Sequence, residues 1–178
     1  MVFKEKTITS EKIFQGRIID VRVETVEFDD GRRAYREIVD HPGGVGVLAL
    51  TDDNKIIMVK QFRKPIEEAI WEIPAGKLDK GEDPLVCGKR ELEEETGFKA
   101  KEFVSLGCFY PSPGFANEVT HLFFAKGLYM GKTNPDEDEF LDVEEIAIQE
   151  IRDMIAKNQI NDAKTVIAFL KCELLNLF

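Results

Sequence analysis

The chain has 178 residues, with 34 acidic against 24 basic side chains and a formal net charge of −10. That balance repels phosphate backbones and anionic lipid, which excludes nucleic acid and the membrane as partners, but it admits a phosphate-bearing small molecule wherever carboxylate-bound metal reverses the local sign. An apolar fraction of 43% suffices for one ordinary domain with a small appendage, and Cys87, Cys108 and Cys172, odd in number and without paired spacing, predict reduced thiols in the cytoplasm.

The N-terminus, MVFKEKTITS, lacks the apolar stretch of a signal peptide. Residues 4–40 alternate with period two and are rich in Val, Ile, Thr and Phe, and Asp29-Asp30-Gly31 supplies a hairpin turn. An antiparallel β unit over 1–40 is predicted, nearly neutral, with eight basic and nine acidic side chains. Strands without a helix of their own need a partner surface, either the rest of this chain or a second copy.

His41-Pro42-Gly43-Gly44 breaks the pattern and places a domain boundary, giving 41–178 as the second domain. Two apolar strands follow, Val45 to Leu50 and Lys55 to Phe62, around the turn Thr51-Asp52-Asp53-Asn54. GGVG is a strand entry and not a phosphate loop, because GxxxxGK[ST] is absent and no helix follows. After a loop, Asp83 as cap, Pro84 as first helical residue and Gly97 as terminator define a helix over 84–96. Strands are predicted from Glu102 to Tyr110 and from Val119 to Ala125, separated by the loop Pro111 to Glu118. An acidic loop at Pro135 to Glu139, a short strand, and helices near Ala147 to Ala156 and Asp162 to Leu175 complete the chain, with Asn161 capping the last helix. Strands and helices mix, so the fold class is α/β in the mixed α+β sense.

A rotation of about 100° per residue puts Leu85, Gly88, Leu92 and Thr96 on one stripe of the 84–96 helix, with Glu91, Glu94 and Glu95 beside it. Carboxylates this close repel one another, Arg90 offsets part of the charge, and the remaining oxygens suit Mg²⁺ or Mn²⁺ better than zinc. The wider spacing is more specific than an acidic helix face. Gly76, five residues, Glu82, seven residues, then Arg90-Glu91-Leu92-Glu93-Glu94-Glu95-Thr96-Gly97-Phe98 matches the Nudix box at every position.

The chain therefore resembles the Nudix hydrolases. The resemblance implies an α/β/α sandwich with a mixed sheet, and metal-dependent hydrolysis of a nucleoside diphosphate linked to another group. It implies Glu91, Glu94, Glu95 and the carbonyl of Ala75 as metal ligands, with Glu82 and Arg90 orienting them. Outside the box, Pro113 lies fifteen residues beyond Phe98, and Arg36-Glu37 and Arg63 occupy positions that resemble substrate contacts of the ADP-ribose pyrophosphatase branch. The N-terminal strands resemble the swapped appendage through which such enzymes form homodimers. These features place ADP-ribose ahead of other nucleoside diphosphate sugars, GDP-mannose being the nearest rival. A sensor that keeps the fold without catalysis is the reading from another class.

By the same resemblance Phe115 packs against sugar or base and Glu118 serves metal or ribose. Glu137 is the first choice as general base and Glu139 as an additional metal ligand, with the two roles interchangeable. The resemblance implies that the acidic loop carrying both glutamates closes over the metals when substrate binds. His41 and His121 have no partner at catalytic spacing and are read as structural, and Trp71 is left outside the site.

Overall fold

The computed structural model describes residues 4–132 and 141–178. The chain splits into two compact units, Met1–Gly43 with Tyr110–Val119, and Gly44–Phe109 with Thr120–Phe178.

The first unit is an antiparallel sheet of β1 (Lys6–Gln15), β2 (Asp20–Glu27) and β3 (Arg33–Asp40), in that order. Gly31, at φ 81°, allows the turn between β2 and β3, where its N–H donates to the Phe28 carbonyl at 2.9 Å. β1 is exposed along its whole length on both faces, so its period-two pattern finds no cover within the described chain. The 110–119 loop is tied to the end of β3. Val39 N–H donates to the Phe115 carbonyl at 2.8 Å, and Asn117 Nδ2 donates to Asp40 Oδ1 at 2.7 Å.

The second unit contains β4 (Gly44–Ala49), β5 (Lys55–Arg63), β6 (Glu68–Glu72), β7 (Ala75–Lys77), α1 (Pro84–Thr96), β8 (Phe98–Phe109), β9 (Thr120–Met130), β10 (Leu141–Ala147), α2 (Ile148–Ala156) and α3 (Ala163–Leu174). One sheet runs β7-β4-β9-β8 and another β10-β5-β6. β4 and β9 are parallel and the other pairs antiparallel, which makes the sheet mixed, as expected.

Period-two alternation explains the layers. Val45, Val47 and Ala49 of β4, with Phe123 and Ala125 of β9, pack with Cys87 and Leu92 of α1. Leu48, Leu122 and Phe124 point to the other face and pack with Ile151 of α2 and Ala168, Phe169 and Cys172 of α3. Helices thus cover both faces of one sheet.

Three local expectations change. β6 and β7 flank Pro74, in a stretch where the sequence pattern points to no strand. β8 and β9 extend well beyond the expected segments, β8 starting directly after Gly97. Asp162, not Asn161, caps α3. Asp162 Oδ2 accepts from Thr165 N at 3.0 Å and from Thr165 Oγ1 at 2.6 Å, and Asn161 is exposed one residue too early to reach these donors. No helix among the described residues is long and apolar enough to cross a membrane.

Candidate active site

α1 begins and ends as its residue types require. Asp83 Oδ1 accepts from Leu85 N at 2.9 Å and Val86 N at 3.1 Å, Pro84 occupies the first turn, and Gly97 takes φ 75° while its N–H closes on the Glu93 carbonyl. The buried face is rotated from the expected stripe. Cys87, Gly88, Leu92 and Thr96 are buried together with Glu91 and Glu95, and Leu85 is only half-buried. Two carboxylates therefore enter the protein, at 8% and 4% exposure.

They face the β7 segment. Ala75 N–H donates to Glu95 Oε2 at 3.0 Å. A Cβ on Gly76 would collide with the Glu91 carboxylate, so only glycine gives Glu91 its position. Arg90 stands among the acids, with Nη1 2.7 Å from Glu91 Oε1 and 3.0 Å from Glu94 Oε2, and Nη2 3.1 Å from Glu82 Oε2. Glu82 also accepts from Asp79 N at 3.0 Å. The Arg90 guanidinium, followed by that backbone bond, lowers the Glu82 carboxyl to about 2. Arg90 itself is raised, first by its bond to Glu82. Glu93 lies apart, paired with Lys99 at 3.0 Å.

The charge sum is negative: one guanidinium serves Glu82, Glu91 and Glu94, with Glu95 alongside. Among the described residues these groups do not converge as a preformed ion cage, because Arg90 occupies the space between them. The donor chemistry nevertheless fits a hard divalent cation. Buried carboxylates, a cradle that a Cβ would fill and a local excess of negative charge favour oxygen-coordinated metal. Cys87 is no nucleophile, since burial pushes its thiol up to about 12 despite the neighbouring Arg90.

Arg63, at the end of β5, extends to Glu72 through Nε and Nη2, at 2.6 and 2.8 Å. Glu72 is 1% exposed and also receives Lys164 from α3. Lys164 continues to Asp162 at 3.1 Å, and Thr165 Oγ1 accepts from the buried N–H of Ile73 at 2.9 Å. Burial alone would raise the Glu72 carboxyl, but Arg63 and Lys164 outweigh it and hold it below its ordinary value. Sequence reasoning missed Glu72, Lys164, Asp162 and Thr165. A carboxylate set between Trp71 and Ile73 and followed by Pro74 was the available signal. Trp71 is half-buried against the core, with Lys60 Nζ 5.2 Å from its ring centroid.

In the first unit, Arg36 pairs with Glu5 through Nη2 at 2.5 Å and Nε at 2.9 Å and lies over the Phe28 ring, and Glu37 is exposed. Phe115 is 56% exposed on its loop, and Glu118 Oε1 lies 3.6 Å from His41 Nδ1, which accepts the Gly43 N–H. The structure thus gathers Ala75, Arg90, Glu91, Glu94 and Glu95 into one cluster, while Arg36, Glu37, Phe115 and Glu118 belong to the other unit. Glu137 and Glu139 lie outside the described residues.

Known proteins share both parts of the chain. Residues 40–169 match the NUDIX domain family, and residues 5–39 match the nucleoside diphosphate sugar hydrolase N-terminal domain. The ADP-ribose pyrophosphatase of Bacillus subtilis (strain 168) is 52% identical over 167 residues, 93% of this chain and 90% of the relative. The methanol dehydrogenase activator of Bacillus methanolicus is 52% identical over 169 residues, 94% of this chain and 91% of the relative. A solved structure described as an ADP compounds hydrolase superposes with a TM-score of 0.86 at 22% identity, covering 97% of this chain and 94% of that one, which shows a shared fold. With its box built into α1 and a family match over most of its length, the chain belongs to the Nudix family and carries the N-terminal domain of nucleoside diphosphate sugar hydrolases.

Proposed function

We propose that this protein is a pyrophosphatase that hydrolyses the diphosphate bond of a nucleoside diphosphate sugar, ADP-ribose giving AMP and ribose 5-phosphate. The observation that carries the reading is the Gly76–Glu91 approach, which draws a carboxylate into the protein beside the Ala75 backbone at the spacing of the box. The likeness to an ADP-ribose pyrophosphatase over nearly the whole chain supports the substrate.

Glu91, Glu94, Glu95 and the Ala75 carbonyl would hold Mg²⁺ or Mn²⁺, with Glu139 as a further ligand. When bound, such a metal supplies charge neutralisation on the diphosphate and an acidified water. Glu82 holds Arg90, and Arg90 orients the neighbouring carboxylates. Glu137 takes the proton of the water as its oxygen bonds to one phosphorus and the P–O–P bridge breaks. Arg63, Arg36, Glu37, Phe115 and Glu118 are the substrate-binding residues of this reading, the arginines through planar donor forks suited to phosphate and ribose oxygens.

A homodimer goes with this reading. β1 is an exposed edge strand that carries Ile8, Ile13 and Phe14 outward, a surface a second copy would cover. A cytoplasmic location accords with three free thiols. The test is a screen of ADP-ribose, GDP-mannose, dinucleotides and nucleoside triphosphates with Mg²⁺ in ¹⁸O water, read by mass spectrometry. ADP-ribose should give AMP fastest, and preference for GDP-mannose would reassign the substrate.

The likeness to a methanol dehydrogenase activator favours one second reading, action upon an alcohol dehydrogenase. Adding the protein to such a dehydrogenase and following its rate tests that reading. Unchanged turnover would remove it.

A further inference from the structure

Arg63 is half-exposed at the end of β5, yet its charge is tied to a carboxylate that is almost wholly buried, with side-chain exposures of 40% and 1%. Both of its hydrogen bonds to Glu72 use Nε and Nη2. Among the described residues that leaves Nη1 and the outer edge of the fork for another acceptor. Glu95, one of the candidate metal ligands, acts on Arg63 electrostatically, so the guanidinium lies within reach of that carboxylate's charge.

A lone Arg63–Glu72 pair would satisfy itself and offer little to an anion. Lys164 changes this. It reaches the same Glu72 carboxylate from the first turn of α3, far along the chain, so Glu72 has two cationic partners. Asp162 holds Lys164 from the other side at 3.1 Å, and Thr165, the next residue, accepts the Ile73 N–H, so α3 clamps the segment that leads to Ala75. When one carboxylate is shared by two cations, the more exposed cation keeps residual positive potential and hydrogen-bonding capacity.

We propose that Lys164 is a positioning residue that neutralises Glu72 from behind and so makes Arg63 available, in a fixed orientation, to the diphosphate of the substrate. The inference rests on the proposed function and adds to it the residue that tunes the anion-binding arginine. Lys164 itself touches no substrate. Its removal leaves Arg63 as the sole counter-ion of a buried carboxylate, which binds the fork more tightly and weakens its hold on phosphate.

The experiment is a double-mutant cycle on ADP-ribose affinity, measured by calorimetry, with steady-state KM and kcat for AMP release measured beside it. Lys164→Met should weaken binding and raise KM by about tenfold, the worth of one charge-assisted hydrogen bond, with a smaller change in kcat. Lys164→Arg should restore most of the loss. In an Arg63→Ala background, Lys164→Met should have almost no further effect, because the arginine through which it acts is gone. Circular dichroism confirms that each variant is folded. An equal loss from Lys164→Met with and without Arg63, or no loss at all, overturns the inference. AMP release by the unsubstituted protein tests the proposed function separately, since the binding cycle does not depend on turnover.

Discussion

The Ala75 N–H donates to Glu95 Oε2 at 3.0 Å, joining the short β7 strand to a carboxylate on α1, twenty residues later in the chain. The bond places the Ala75 backbone and buried carboxylates in one neighbourhood. Gly76 is what permits the approach, because any side chain there would meet Glu91.

Gly76→Ala is therefore expected to keep the fold and lose function. The added methyl displaces the Glu91 carboxylate, costing about 1–3 kcal/mol of stability as overpacking. Misplacement on the scale of an ångström lowers kcat/KM about 10²-fold. Thermal melting with kinetics at saturating Mg²⁺ checks both, and near-normal turnover would show that Glu91 has no need of its position.

Glu82 is assigned an orienting role, so Glu82→Gln should act through Arg90. Loss of its charge frees the guanidinium to bind Glu91 and Glu94 more tightly. Metal affinity or activity should fall about 10- to 100-fold, the usual effect of removing an outer partner. Activity titrated against Mg²⁺ should show a raised metal requirement, and an unchanged titration would leave Glu82 as a loop anchor only.

Acid stability should report on Glu72. Its folded pKa lies below the ordinary value of 4.5, so its contribution is fully present above 4.5 and is lost as pH falls through the lowered folded value. Glu72→Gln should destabilise the protein at pH 7 by about 3 kcal/mol, the low end for breaking a buried pair because Arg63 can turn to solvent. Denaturant unfolding from pH 7 to pH 3 should show the gap between variant and parent narrowing below 4.5. A gap that widens toward acid would reverse the sign of the coupling.

Asp162→Ala removes the α3 cap and one contact of Lys164. A cost of about 1–2 kcal/mol is expected, lowering Tm by about 3–6 °C for a chain of this size. Asn161→Ala should stay within about 0.5 kcal/mol of the parent, as an exposed substitution does.

How far the sequence reveals the fold depends on the range of the signal. The ends of α1 were legible because Asp83, Pro84 and Gly97 act within one turn of themselves. The α3 cap was misplaced by one residue because Asn161 and Asp162 are adjacent and equally suited, and only the Thr165 donors decide between them. β6 and β7 were missed because Pro74 and the buried Glu72 interrupt the apolar pattern between two very short strands. The box carboxylates were visible as a spacing. The Glu72 network was not, since its cations lie 9 and 92 positions away, and no periodicity links such distances. Local chemistry was readable, whereas charge pairing across the fold required the structure.

The most direct test of the central claim compares the parent protein with Glu95→Gln on ADP-ribose in ¹⁸O water at saturating Mg²⁺. The account predicts AMP and ribose 5-phosphate, one of them carrying a single ¹⁸O, and a turnover at least about 10²-fold lower in the folded variant. Equal turnover by Glu95→Gln, or no AMP from the parent, would contradict it.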